Sequence, residues 1–205
     1  MGVYRDQVVP RIVNVACGMR TTEDLRRRVC AGLEGAVVEI GFGSGLNVPC
    51  YPAAVRRIDA VEPADLGWKL AAKRLAATAI PVQRAGLDGQ SLPFADNSYD
   101  AALSTWTLCT IPDVAAALRE VRRVLKPGAA LHFVEHGLAP DAGVQRWQRR
   151  LEPVQKRVAG GCHLTRRVTE MVTTAGFVLT DVDVFYEKSA PKSLGALTLG
   201  TAVSP

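Results

Sequence analysis

Apolar residues fall along the chain in two kinds of run. Ala36-Val37-Val38-Glu39-Ile40, Arg57-Ile58-Asp59-Ala60-Val61, Tyr99-Asp100-Ala101-Ala102-Leu103-Ser104-Thr105 and Ala130-Leu131-His132-Phe133-Val134 are short and lack clean alternation. Such runs suit parallel strands covered on both faces. Between them apolar residues recur every three or four positions. Val114, Ala117, Leu118, Val121, Val124 and Leu125 share one face, with Arg119, Glu120, Arg122 and Arg123 opposite. This predicts a helix over 113–125, stopped by Lys126-Pro127-Gly128. Leu66, Leu70 and Leu75 among alanines predict a helix over 64–77, ahead of a short strand at 81–84. Helices follow near 143–159 and 165–175, and strands near 177–186 and 194–203.

Strands and helices therefore alternate, the pattern of an α/β domain with a mainly parallel sheet. Residues 1–35 read as helical. Val8, Val9, Ile12, Val13, Ala16 and Cys17 form a stripe at helical spacing, and Thr22 with Glu23-Asp24 starts a second helix running to about Leu33. This segment either packs on the core or forms a candidate lid over a ligand site. Residues 36–205 read as one domain, undivided by any repeat or low-complexity linker.

Composition excludes more than it selects. A chain of 205 residues, 48% hydrophobic and 22% charged, is an ordinary globular domain. Five cysteines, odd in number and without a C-x-x-C, argue against a disulfide framework or a zinc site and for a reducing compartment. The three histidines are sparse, and Cys162-His163 is a poor chelating spacing, so no metal is expected. The net charge of +5 is dispersed in clusters such as Arg26-Arg27-Arg28, Arg149-Arg150 and Arg166-Arg167. These read as solvated helix faces rather than a nucleic-acid surface, with peripheral contact to acidic lipid headgroups as the alternative. No apolar run approaches the roughly 18 residues of a membrane span, and the first residues carry no signal-peptide core, so a cytoplasmic location is expected.

The chemistry concentrates at Glu39-Ile40-Gly41-Phe42-Gly43-Ser44-Gly45-Leu46-Asn47. An acid ends the first strand and three glycines follow at alternate positions, opening a turn that a ligand can approach closely. A helix starting behind them would add unpaired N–H groups for an anionic or polar group. A dinucleotide fingerprint needs G-x-G-x-x-G; here Gly45 comes one residue early, and no P-loop pattern is present. Glu62 ends the second strand, where a carboxylate can accept both hydroxyls of a ribose. Thr105 and Trp106, at the end of the fourth strand, border the same crevice.

The pattern E-x-G-x-G-x-G resembles motif I of class I S-adenosylmethionine (SAM) dependent methyltransferases. The run Asp88-Gly89-Gln90-Ser91-Leu92-Pro93-Phe94-Ala95-Asp96-Asn97-Ser98-Tyr99-Asp100 resembles that family's G-D-A-x-x-L-P-F-x-D-x-S-F-D stretch, with Leu87 where the family usually has glycine. A narrower likeness lies in Leu108-Cys109, Glu120 to Gly128, Glu135-His136, Trp147-Gln148, Glu152-Pro153, Gly161-Cys162 and Leu164-Thr165-Arg166, with Asn47 and Tyr51-Pro52. These pieces look like the methyltransferase-like thiol S-methyltransferases of animal microsomes and their bacterial relatives, whose animal members carry an N-terminal membrane anchor that is not expected here.

The resemblance runs from 36 to 203 and implies a Rossmann-like fold, a seven-stranded, mainly parallel sheet with helices on both faces, and SAM as cofactor. It implies that Gly41, Gly43 and Gly45 line the methionine and ribose portion, that Glu39 orients the loop and, through water, the methionine amine, and that Asn47 is also a cofactor-binding residue. Glu62 would take the ribose hydroxyls, Asp88 and Gly89 the adenine, and Thr105 the methionine end. A carboxylate beside an N–H matches the donor amine and acceptor nitrogen of adenine. The acceptor is a small molecule, best read as a thiol. His136 is the candidate for assisting its deprotonation, and Trp106, Trp147 and Cys162 are candidates for the substrate pocket. A phenol, quinone or lipid amine acceptor is the alternative, and a non-catalytic SAM- or RNA-binding module is the reading from another class.

Overall fold

The structure, a computed structural model, describes residues 8–205. The start of the expected N-terminal segment, residues 1–7, lies outside the described residues. Seven strands form one sheet: β1 (Gly35–Ile40), β2 (Val55–Val61), β3 (Val82–Gly86), β4 (Tyr99–Thr105), β5 (Leu125–His136), β6 (Val178–Tyr186) and β7 (Ala196–Val203). Their order is β3-β2-β1-β4-β5-β7-β6. The first five pair in parallel, while β7 runs antiparallel to both β5 and β6. The expected mainly parallel sheet is present, with the reversed strand near one edge.

Alternate residues of β1 point to opposite faces and join two separate cores. Val38 and Ile40 pack with Leu118 and Val121 of α4 (Val114–Val124) and Val172 of α6 (Val168–Thr174). Val37 packs with Leu25 and Val29 of α2 (Arg20–Cys30) and Ala71 of α3 (Asp65–Ala77). Both faces are thus covered, which is why β1 is buried along its whole length and its sequence does not alternate. Leu25, Val29 and Cys30 make α2 part of the core. Burying each of its larger apolar side chains contributes roughly 1.5–3 kcal/mol. Two further helices are α1 (Val9–Ala16) and α5 (Ala142–Val158). Among the described residues no helix is long and apolar enough to cross a membrane.

Two local expectations are corrected. No α-helix follows the glycine stretch; residues 41–47 form turns and lead to a single 3-10 turn at Val48–Cys50. Pro49 lies inside that turn and Pro52 follows it, so the chain cannot extend the helical ladder there. Second, β5 begins at Leu125, directly after α4, rather than at 130. Tyr99 pairs with Leu125 and Ala101 with Ala130, so the residues between bulge out of register. Gly128, at φ 81°, donates its N–H to Ser204 O at 2.7 Å in that bulge.

Candidate active site

The site lies at the carboxyl ends of β1, β2, β4 and β5, where an open α/β sheet places its ligands. Gly41, Gly43 and Gly45 have φ of 75°, 58° and 72°, the left-handed region that suits glycine. Their surroundings separate their tasks. A Cβ on Gly41 would stand 2.0 Å from Thr107 Oγ1, and one on Gly45 would stand 3.1 Å from Ala71 Cβ. A Cβ on Gly43 would meet only Gly41 O, at 4.0 Å. Gly41 and Gly45 therefore let neighbouring elements close in, while Gly43 presents the open backbone face. The Gly43 N–H donates to Glu62 Oε2 at 2.6 Å, and the Ala64 N–H to Glu62 Oε1 at 2.7 Å. Glu62 is only 7% exposed, and burial raises its pKa. Each of its oxygens keeps a lone pair for one more donor.

Behind the glycines lies a buried polar web. Glu39 is fully buried, accepting from Asn47 Nδ2 at 2.8 Å and from the Tyr51 hydroxyl. Burial lifts its pKa to about 7, against the pull of those two hydrogen bonds. Arg26 Nη1 donates to Asn47 Oδ1 at 2.6 Å and to Thr105 Oγ1 at 3.3 Å, and Nη2 donates to Cys17 O at 3.2 Å. The guanidinium also lies 4.7 Å from the centre of a Trp106 ring. Arg26 is 6% exposed, yet its Nε has no partner, and neither has Ser44 Oγ in the glycine turn. Buried polar groups are nearly always paired. Arg26 Nε and Ser44 Oγ depart from that rule.

Trp106 has φ 51°, unusual for a bulky side chain and costly unless its surroundings enforce it. They do. Its N–H donates to Val134 O at 2.8 Å. The turn after it is gripped by Glu135, which is fully buried and accepts from Ser104 Oγ at 2.7 Å. Glu135 also accepts from the N–H groups of Thr107 and Leu108, each at 3.0 Å, and of Cys109 at 3.1 Å. On the other side, Arg166 donates to Leu108 O and, at 2.7 Å, to Ile111 O.

The pieces of the second half of the chain converge on this turn. Cys162 Sγ lies 3.6 Å from Cys109 Sγ and 3.6 Å from His136 Nδ1. His136 Nδ1 is 3.8 Å from Cys109 Sγ. The Cys109 thiol, and then His136, pull the Cys162 pKa down, whereas Cys109 is pushed up. Glu152 accepts from Thr165 N at 2.8 Å and from its hydroxyl, holding the loop that carries Cys162. Gln148 accepts from Ala139 N at 2.9 Å and donates to Gly137 O at 3.0 Å, fixing the chain just beyond His136. The expectation that cysteine and histidine are too scattered to form a set needs correction: three that are far apart in sequence meet in space.

Other expected site residues lie differently. Asp88 is exposed and accepts from the N–H of Gln90 at 2.9 Å, beside Leu87, which is 61% exposed. Gly89 sits so close to Ile40 that a Cβ there would meet its Cγ2 at 2.9 Å. Trp147 is not brought to the cluster: it is 57% exposed on α5, with Arg150 stacked over it at 5.4 Å. The sequence reading missed Arg26, Glu135 and Arg166 as builders of the site. Arg26 could have been noticed because it falls on the apolar face of its helix with Leu25, Val29 and Cys30. Glu135 could have been noticed as a carboxylate closing an unbroken apolar strand.

A family model described as a methyltransferase domain matches residues 38–133. Thiol S-methyltransferase TMT1B of Rattus norvegicus is 34% identical over 148 residues, 70% of this chain and 60% of that protein. Its Homo sapiens counterpart is 31% identical over 172 residues, 77% of this chain and 69% of that protein. The matched part is thus less than two thirds of the rat protein's length. Among solved structures, a putative methyltransferase from Bacillus halodurans superposes with a TM-score of 0.74 at 17% identity, covering 89% of this chain and 98% of that one. At that identity the likeness concerns the fold.

Proposed function

The chain belongs to the class I SAM-dependent methyltransferases, and from that premise we propose that it methylates the sulfur of a small thiol. One observation carries the choice of acceptor. The similarity to the human thiol S-methyltransferase spans 172 residues, well beyond the 38–133 methyltransferase segment. It therefore runs beyond the segment shared with methyltransferases at large, which supports the thiol reading.

The residues present fit SAM. The open face of Gly43 and the spare lone pairs of Glu62 suit the ribose, and Gly41 and Gly45 shape the turn that presents them. Asp88 and the Gly89 N–H would suit the adenine edge, and the exposed Leu87 adds apolar surface beside them. Arg26, whose Nη1 donates to Thr105 and whose Nε is unpaired, suits the carboxylate of the methionine end. Glu39 and Asn47 hold Arg26 in place from behind.

Bound SAM supplies an electrophilic methyl group on a sulfonium. What is left to the chain is positioning. The acceptor sulfur must be held in line, about 3 Å from the methyl carbon, with water excluded. Its proton must also leave, because the thiolate is the nucleophile. Trp106, fixed in its strained conformation between Arg26 and β5, forms one wall. Cys109, His136 and Cys162 form the polar end of the acceptor side.

The test is direct. Purified protein is incubated with SAM and a panel of alkyl thiols, sulfide, phenols, quinols and amines, and S-adenosylhomocysteine is followed. Turnover is expected with thiols. Turnover confined to the phenols, quinols or amines overturns the choice of acceptor.

A further inference from the structure

We propose that Cys109, His136 and Cys162 form a mononuclear zinc site whose fourth position is open to an exogenous thiol. The proposal rests on the thiol reading above for its fourth ligand, but not for the metal. The three ligand atoms form a triangle with sides of 3.6, 3.6 and 3.8 Å. Zinc bound tetrahedrally at about 2.3 Å from sulfur and about 2.0–2.1 Å from nitrogen needs a sulfur–sulfur edge of about 3.8 Å and sulfur–nitrogen edges of about 3.6 Å. Each observed side lies within a few tenths of an ångström of that requirement.

The triangle is held by three separate elements, so it is not one flexible loop folding on itself. His136 closes β5 and is paired with Leu197 of β7. Cys109 is fixed at both backbone ends: its N–H by Glu135 and its carbonyl by the His163 N–H at 2.8 Å. Cys162 donates its N–H to Ala159 O at 3.1 Å, on a loop held by Glu152.

Charge and chemistry agree with zinc. Two thiolates neutralise a divalent ion, so the metal adds no net charge to a buried place. Nearby Arg166 and Glu135 carry opposite charges, and each is engaged with the same backbone turn. A Cys2His set of soft and borderline donors is zinc chemistry rather than magnesium or calcium chemistry. Leu151, Ala159, Leu164 and Leu194 pack around the cysteines, and the Gln155 side chain hydrogen-bonds Cys162, but an amide is not among the usual protein ligands of zinc. Among the described His, Cys, Asp and Glu residues, three ligand atoms come together here. Three protein ligands with one open position is the arrangement of catalytic zinc, not of a closed structural site.

The open position gives the metal a task. A thiol entering it forms a Zn–S bond, displaces a bound water and releases its proton to solvent. The sulfur is then a thiolate at neutral pH without a general base. His136 thereby acts as a ligand to the activating ion rather than as the proton acceptor.

The experiment uses the metal alone, without SAM and without turnover. The fully reduced protein, freed of metal, is titrated with Co2+ and then with Zn2+. One equivalent of Co2+ is expected to give intense visible d–d bands of a tetrahedral site and a near-ultraviolet sulfur-to-cobalt charge-transfer band, both erased by one equivalent of Zn2+. Cys162→Ser and His136→Gln should each weaken binding at least a hundredfold, beyond the ten- to hundredfold that loss of a supporting group costs. Absence of these bands in wild type overturns the site, whatever the variants do. Adding an alkanethiol should shift the charge-transfer band; a spectrum unmoved by saturating thiol overturns the open fourth position. Because the readout is spectroscopic, a failed methyl-transfer assay and a failed metal site remain separate results.

Discussion

The two ends of the sheet treat polar groups in opposite ways. At the amino ends of the strands, Asp100 and Arg123 are each engaged by several partners. Asp100, at the start of β4, accepts from Ala36 N at 2.7 Å, Lys126 Nζ at 2.5 Å and Arg56 Nη2 at 3.0 Å. Arg123 donates to Asp96 at 2.6 Å, to Glu120 at 2.8 Å and to the carbonyls of Phe94 and Leu92. At the carboxyl ends, Arg26 Nε and Ser44 Oγ stay unpaired in buried positions, and Trp106 is held in the left-handed region. The same strands bear both ends, so the difference is not one of secondary structure. One end spends its hydrogen-bonding capacity on the fold, and the proposed function has the other keep part of it for a ligand. Substitutions should therefore divide: the carboxyl end changes ligand affinity, and the amino end changes stability.

The largest expected effect is at Glu62. Its carboxylate already serves Gly43 and Ala64, and a ribose would take the remaining lone pairs. Hydrogen bonds to a charged group contribute about 1.5–3 kcal/mol each. Glu62→Ala should weaken SAM binding about a hundredfold by calorimetry, with a smaller loss of thermal stability from the two freed N–H groups. An unchanged affinity would break the comparison at its strongest point.

Glu39 sharpens it by showing that the ligand end carries a cost in stability. With its pKa near 7 in the fold, against about 4.3 unfolded, the native state binds this proton more tightly than the unfolded chain does. Stability therefore falls as pH rises from about 4.5 to 7 and levels off above. Glu39→Gln removes that slope. Urea unfolding at pH 5 and pH 8 should show wild type losing on the order of 2 kcal/mol relative to the variant across this window. Parallel pH profiles for the two proteins would mean that the buried carboxylate is charged at no cost.

The same contrast explains what could be read in the sequence. The proposed cofactor side takes its residues from the ends of consecutive strands, each announced by a local signal: glycines after β1, an acid after β2, Asp88 after β3. The sheet order follows from unbroken apolar runs alternating with helical ones. The acceptor side has no such local grammar. Cys109, His136 and Cys162 come from three elements, and Arg166 reaches back across the fold to Leu108. Only the resemblance of short motifs pointed there, and it could not show that they touch. Trp147 shows the limit from the other direction: it falls within such a motif, yet the structure leaves it exposed beside Arg150. After the glycines an open turn and a helix start share the same residues; Pro49 and Pro52 signal a helix cut short, and the structure keeps only a single 3-10 turn there.

The smallest effect is the control at the opposite end. Asp100 is held down to about 2, chiefly by Lys126 and the Ala36 N–H. A carboxylate depressed in the fold contributes stability that is fully present above its ordinary pKa near 4 and is lost as pH falls through about 2. Its partners are partly solvated, so the contribution is modest. Asp100→Ala should cost about 1 kcal/mol at pH 7, measured by urea unfolding, and the gap to wild type should close as pH approaches 2. SAM affinity, measured on the same variant at pH 7, should be unchanged, because Asp100 lies at the far end of β4 from Thr105. If Asp100→Ala lowered affinity as much as Glu62→Ala, the two ends would be one cooperative unit, and the unpaired groups around the glycine turn would need an explanation other than a ligand.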